Sequence, residues 1–593
     1  MGAQRDVGDP VAVGREIRRR GMTVAQRRRQ DKGDPAVPER DAVVVGGNAL
    51  AGHRKTVCVQ PDPGRRLQVL HIQLDVVDRV VTDGLIHARS IIHDGPWVEE
   101  GSGFAAQPYN SIGEYRTCQS RAPEGTGQGR FTGVKRETLS QLAQCVILAP
   151  MQIPKNLAEL SSEPLHASLA AASMESMNLL NNIAGNYPEA ISFAAGRPYE
   201  GFFDTDQIHE YLRVFAGYLR SERHMTEQQV SRTLLQYGDT KGVITELIAR
   251  NLAVDEDIHV DPRGVVVTVG FQEALFLVLR TLRADDRDAL LAPSPTYVGL
   301  TGAALLTDLP VLPVPSDERG LDLGELGRRL HAARDAGHRV RACYVTPDFA
   351  NPVGVSMTVD DRHRLLEIAA AEGLLLLEDN PYGLFHRTPD RRPPTLKSLD
   401  TEGRVVYLGS FAKSGVAGAR VGFAVADQPV GGGLLADELS KIKSMLTVNT
   451  SPIAQAVIGG KLIANDFSLV AANARETAVY QSNLTQVLQG LAKRFRDDAG
   501  VTWNEPDGGF FVVVTVPFTV DDAFLEHAAR EHGVLFTPMH HFFGAGIESR
   551  QLRLSISTLT PERIDEGLDR LAAAVTSRLP DAGTADETAG AVS

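Results

Sequence analysis

From about residue 160 onward, short continuous apolar runs alternate with segments of helical period. Val265-Val-Val-Thr-Val269, Ala289-Leu-Leu-Ala292, Val340-Arg-Ala-Cys-Tyr-Val345, residues 374–378, Val405-Val-Tyr-Leu408 and Val421-Gly-Phe-Ala-Val425 read as strands, and residues 272–282 read as a helix between the first two. Strands that are apolar at consecutive positions are covered on both faces. The pattern therefore predicts an α/β fold with a mostly parallel central sheet and helices on both sides. Past Lys441 the helical pattern continues to about 498. Gly508-Gly-Phe-Phe-Val-Val-Val-Thr515 and Leu552-Arg-Leu-Ser-Ile-Ser557 then read as antiparallel strands of a smaller α+β C-terminal domain. The expected division is an arm of the small domain at 151–205, a large domain at 206–455, the small domain at 456–577 and a disordered tail at 578–593.

The first 150 residues carry a different pattern. They hold basic clusters at 18–20 and 27–29, scattered Gly and Pro, and two or three strand-like runs between 66 and 93, such as residues 67–74. Residues 100–135 are rich in Gly, Ser, Thr and Gln and read as disordered. No fold is assigned to this stretch. It is expected to be a poorly structured extension, upstream of a native start near Met151.

Composition narrows the class without changing the fold. A hydrophobic content of 43% with 23% charged residues is that of an ordinary globular protein. A net charge of −13 argues against general nucleic-acid binding. The chain has 4 cysteines, Cys58, Cys118, Cys145 and Cys343, at no metal-like spacing. There is no apolar run long enough to span a membrane and no apolar stretch after the N-terminal basic residues, so the cytoplasm is the default compartment.

The chemistry concentrates at strand ends. Ser410-Phe-Ala-Lys413 follows the 405–408 run, and Arg420-Val-Gly422 comes seven residues later. A lysine that forms a Schiff base with pyridoxal phosphate needs a hydroxyl and an arginine nearby to hold the phosphate. Gly270-Phe271-Gln272 joins a strand to a helix, offering backbone N–H groups to the same phosphate. Asp379 ends the 374–378 run, where a buried carboxylate pairs with a pyridine nitrogen. Tyr382 and Asn351 suit the ring's phenolic oxygen, and Tyr297 suits its face. Each piece alone also reads as a turn or as core packing. Five turns carrying residues suited to one cofactor, in a workable order, do not. His540-His541 reads as a packed or rim pair, because no further ligand has suitable spacing, and no metal site is expected.

Residues 185–575 resemble the fold-type I, class I/II aminotransferases that use pyridoxal phosphate. The matching signatures are Gly196-Arg-Pro198, Tyr237-Gly238, Gly270-Phe-Gln-Glu-Ala274, Pro295-Thr-Tyr297, Asn351-Pro-Val-Gly354, Glu378-Asp-Asn-Pro-Tyr382, Ser410-Phe-Ala-Lys413, Arg420-Val-Gly422, Gly508-Gly509 and Arg553. The resemblance implies that Lys413 is the Schiff-base lysine, that Arg553 grips the substrate carboxylate with Gly196 and Asn351 beside it, and that Tyr237 reaches the neighbouring subunit of a homodimer. Phe271 departs from the small or hydroxylated residue of many relatives, which leaves only backbone donors there. Residues 538–542 depart as well, in a loop expected to border the substrate pocket.

From Met151 onward the chain also resembles the arylglycine transaminases of peptide-antibiotic pathways. That implies amino transfer between an L-amino acid, tyrosine or phenylalanine, and an arylglyoxylate. A general aminotransferase for aminoadipate, branched-chain or aromatic substrates stays open, as does a β-lyase or decarboxylase on the same cofactor. A transcription regulator with this fold is the reading from another class. It is disfavoured because residues 1–150 show no helix pair followed by a basic hairpin.

Overall fold

The computed structural model describes residues 165–579, apart from 172–173, 175, 177–182, 389–390, 496–499 and 545. It also describes three upstream strands, Arg54–Val59, Gln68–Asp75 and Arg89–Ser90. These pair antiparallel in chain order, and the predicted 67–74 run falls on the second of them. The stretch expected to be disordered at 100–135 and the tail beyond Leu579 lie outside the described residues.

An eight-stranded sheet organises the large part of the chain. In spatial order its strands are Val265–Val269, Val421–Val425, Val405–Ser410, Leu375–Asp379, Arg339–Val345, Asp288–Ser294, Val311–Asp317 and Gly320–Leu321. The run from Val405–Ser410 to Val311–Asp317 is parallel throughout. Both faces are covered, as the continuous apolar runs require. Val266, Leu377 and Val406 pack into one cluster, while Val265, Val267, Leu376 and Val405 turn to clusters on the opposite face.

Val421–Val425 departs from the parallel pattern and runs antiparallel to both neighbours. The connection explains this. Between Ser410 and Val421 the chain makes only the short helix Phe411–Ser414 and a 3-10 turn at Ala417–Ala419. A parallel crossover needs a dozen or more residues, so the strand can only fold back.

The C-terminal part is a four-stranded antiparallel sheet in the order Thr502–Trp503, Phe511–Thr515, Gln551–Ser555 and Thr537–Pro538. The helices Ala474–Arg494 and Pro561–Thr576 contribute Tyr480, Leu484, Ile564 and Leu568 to its core. Ile191–Ser192 pairs with Val534–Leu535, and Phe193 enters the same core. The helix Pro452–Ala464 does not join this layer. Its Ile458 and Leu462 pack with Phe215 of the helix Thr205–Ser221 and with Val267 and Phe423 of the large sheet. The large layer therefore extends past the expected boundary at 456.

Candidate active site

Parallel strands in register place their carboxyl ends along one edge, where open α/β sheets bind ligands. Asp379 ends one strand beside Leu408 of its neighbour. Two residues further, Ser410 caps the helix Phe411–Ser414, accepting from the Ala412 N–H at 3.2 Å. This turn directs Lys413 into a cavity of about 260 Å³. The same cavity is lined by Gly196, Phe271, Gln272, Tyr297, Asn351, Asp379, Tyr382, Ser410, Arg420 and Arg553. The sequence places these residues in eight separate segments, and the fold brings them to one space.

Lys413 Nζ donates to the Gly196 carbonyl at 2.5 Å. Burial, followed by the repulsion of Arg553, Arg420 and Arg197, lowers its amine to about 8. Burial moves Asp379 the other way, up to about 7, and the Tyr344 hydroxyl that donates to it at 2.5 Å partly offsets this. Burial also holds the phenols of Tyr297, to about 12, and of Tyr382 in their neutral forms. Tyr382 is wedged among aromatic rings, with centroids 5.1 Å from Phe510 and 5.5 Å from Phe511.

Arg553 comes from the strand Gln551–Ser555 of the small sheet. It donates to Asn351 Oδ1 at 2.5 Å, to the Ala194 carbonyl at 3.1 Å and to Thr537 Oγ1 at 3.2 Å. Its guanidinium lies 4.2 Å from the Phe511 ring centroid and 4.9 Å from that of Phe542. Burial lowers its pKa to about 10. Among the described residues its Nε is buried with no hydrogen-bond partner. A buried guanidinium with an idle donor is set up to receive a carboxylate.

Gly270 opens the helix Gly270–Leu282 at φ +72°, and a Cβ there would lie 2.5 Å from Arg420 Nη2. Gly422 is equally constrained, since its Cβ would stand 2.6 Å from the backbone of Gly270 and Phe271. The two glycines thus let Arg420 and the helix N-terminus close on the same spot, which suits a phosphate. With an amine at Lys413 and a carboxyl at Asp379, the donor set fits pyridoxal phosphate. Gln272 turns its amide to the Gly299 carbonyl at 2.6 Å, bracing the cradle against the next helix.

Two expected site residues do not line this cavity: Gly270, which adjoins the lining residue Phe271, and Tyr237, which is 80% exposed. Sequence reasoning missed Tyr344. It sits inside an apolar strand, but its partner in register is Leu377, two residues before Asp379 and on the same face. That spacing is the signal that points to it. The 538–542 loop, expected to border the substrate pocket, reaches the cavity through Phe542. The third potential ligand absent from the spacing around His540-His541 comes from another element, Asp522.

Comparisons with known proteins give the chain's family. The chain matches the profile of the family described as aminotransferase class I and II over residues 215–571. It is 64% identical over 422 residues to the (S)-3,5-dihydroxyphenylglycine transaminase of Amycolatopsis orientalis, covering 71% of this chain and 96% of that protein. It is 31% identical to the 2-aminoadipate transaminase of Thermus thermophilus, over 65% of this chain and 90% of that one. The solved α-aminoadipate aminotransferase of Thermus thermophilus, complexed with N-(5'-phosphopyridoxyl)-L-leucine, superimposes with a TM-score of 0.58 at 30% identity, covering 70% of this chain and 99% of that chain.

Proposed function

Because the chain belongs to the class I and II aminotransferases, which use pyridoxal phosphate, we propose that it moves an amino group between an L-amino acid, tyrosine or phenylalanine, and an arylglyoxylate. The product would be a hydroxylated phenylglycine for peptide-antibiotic assembly. The observation that carries this substrate reading is the 64% identity to a dihydroxyphenylglycine transaminase over nearly all of that protein's length.

The bound cofactor supplies the carbonyl that takes up the amino group and the electron sink for the substrate carbon. The protein's own residues do the rest. Arg420 and the N-terminus of Gly270–Leu282 would hold the phosphate, and Asp379 would pair with the ring nitrogen. Arg553, with its idle Nε, takes the substrate carboxylate, while Phe511 and Phe542, whose rings both lie against its guanidinium, exclude water. Fixing the carboxylate orients the Cα–H bond toward Lys413. With its pKa near 8, Lys413 Nζ is substantially neutral in mildly basic solution, so it can take the Cα proton and return one. Asn351 and Tyr382, both lining the cavity, would hydrogen-bond the ring's oxygen.

We further propose that the working enzyme is a cytoplasmic homodimer in which the exposed Tyr237 completes the partner's phosphate site.

Titration of the purified holoenzyme with (S)-arylglycines, and then with aliphatic L-amino acids, tests the substrate reading through the cofactor's visible absorption. Conversion by arylglycines with only weak conversion by aliphatics is expected. Equal or better conversion by aminoadipate or leucine would remove the arylglycine assignment and leave the aminotransferase standing.

A further inference from the structure

Outside the residues assigned above, two adjacent histidines and a carboxylate converge from different elements. His540 and His541 lie in the 3-10 turn Met539–Phe542, and Asp522 opens the helix Asp522–His527. Asp522 Oδ1 is 2.8 Å from His541 Nε2 and 3.5 Å from His540 Nε2. One ligand atom from each of the three residues falls within 4.8 Å of the others. The imidazole rings stack at a tilt of 35°, with centroids 4.1 Å apart. Ligands on a tetrahedral ion, each at about 2.05 Å, are about 3.3 Å apart. The observed 2.8 and 3.5 Å bracket that separation.

The outer contacts are of the kind that prepare ligands. His541 Nδ1 meets Ser176 Oγ at 3.1 Å, and His540 Nδ1 meets the Val520 carbonyl at 3.4 Å. Contacts of this kind at the far nitrogen fix each ring and leave Nε2 to coordinate. The His541 side chain is 7% exposed whereas Asp522 is 56% exposed, so the cluster is anchored on one side and open to solvent on the other.

We infer that His540, His541 and Asp522 form a three-ligand site for a zinc-class divalent ion, with water completing the coordination. The ion ties the Met539–Phe542 turn to the helix Asp522–His527. That turn carries Phe542, which faces Arg553, and it follows Thr537, which accepts from Arg553. The site thereby braces the wall of the carboxylate pocket from behind. The inference does not depend on which amino acid the pocket takes.

The test is calorimetric titration of chelator-treated holoenzyme with zinc chloride, for the wild type, Asp522→Asn and His540→Asn. Both substituted residues are partly exposed, and Asp522→Asn preserves side-chain shape. The expected result is one zinc per chain with a micromolar or tighter Kd, weakened at least about tenfold in each variant. Absence of saturable uptake by the wild type overturns the inference, as does unchanged affinity in either variant.

Discussion

At the scale of single residues, burial does most of the tuning. Asp379 binds its proton more tightly in the folded chain than in the unfolded one, with a rise from 3.8 to about 7. In cofactor-free protein, folding therefore takes up a proton between those limits. Stability should fall as pH rises through that window, by up to about 4 kcal/mol. Asp379→Asn removes the slope. The variant's melting temperature should match the wild type near pH 4 and exceed it at pH 8, as thermal melts at both pH values would show. Lys413→Ala should abolish turnover while leaving the far-UV circular dichroism unchanged, and substantial activity in that variant would end the assignment. Tyr344→Phe removes the hydroxyl that donates to Asp379. The carboxyl should then titrate higher still, and the high-pH stability loss in the cofactor-free protein should move upward. Lys413 and Asp379 stand out in the sequence because each sits in a distinctive short motif at the end of an apolar run, whereas Arg553 is picked out only through the family resemblance. Tyr344 is not, because a tyrosine inside an apolar strand looks like packing until the register to Leu377 is known.

At the scale of elements, the apolar runs foretell the strands well, because a strand covered on both faces has no reason to alternate. Direction is harder to read. Val421-Gly-Phe-Ala-Val425 looks like its parallel neighbours, and only the shortness of the preceding connection turns it around. The helix Pro452–Ala464 is similarly ambiguous, since its sequence does not say which layer its apolar face meets. Asp522 and the two histidines are out of reach of spacing altogether. The close approach of Val421–Val425 to the Gly270 turn makes a prediction at this scale. Gly422→Ala puts a methyl 2.6 Å from the backbone of Gly270 and Phe271. It should cost about 1–3 kcal/mol and weaken cofactor retention. Gly418→Ala, with open space around its Cβ, is the control. Thermal melts with and without added pyridoxal phosphate would separate the two variants.

At the scale of the whole molecule, the carboxyl ends a strand of the large sheet, the amine sits on the short helix that follows the next strand, and the guanidinium comes from the small sheet. A substrate held at both ends therefore links the two layers. If the homodimer proposal holds, sedimentation velocity should give twice the chain mass. Tyr237→Phe should then weaken cofactor binding while leaving the protomer's melting temperature within about 1 °C, because an exposed side chain carries little of the fold. The edge position of Val265–Val269 has a consequence in time as well as in space. Its one strand partner among the described residues, Val421–Val425, is synthesised some 150 residues later. On the ribosome, the cradle at Gly270 therefore stays without its supporting neighbour until translation has passed Val425 and that stretch has left the exit tunnel. Cofactor loading belongs to the last part of the protein's biogenesis, after most of the sheet that carries Asp379 and Lys413 has been made.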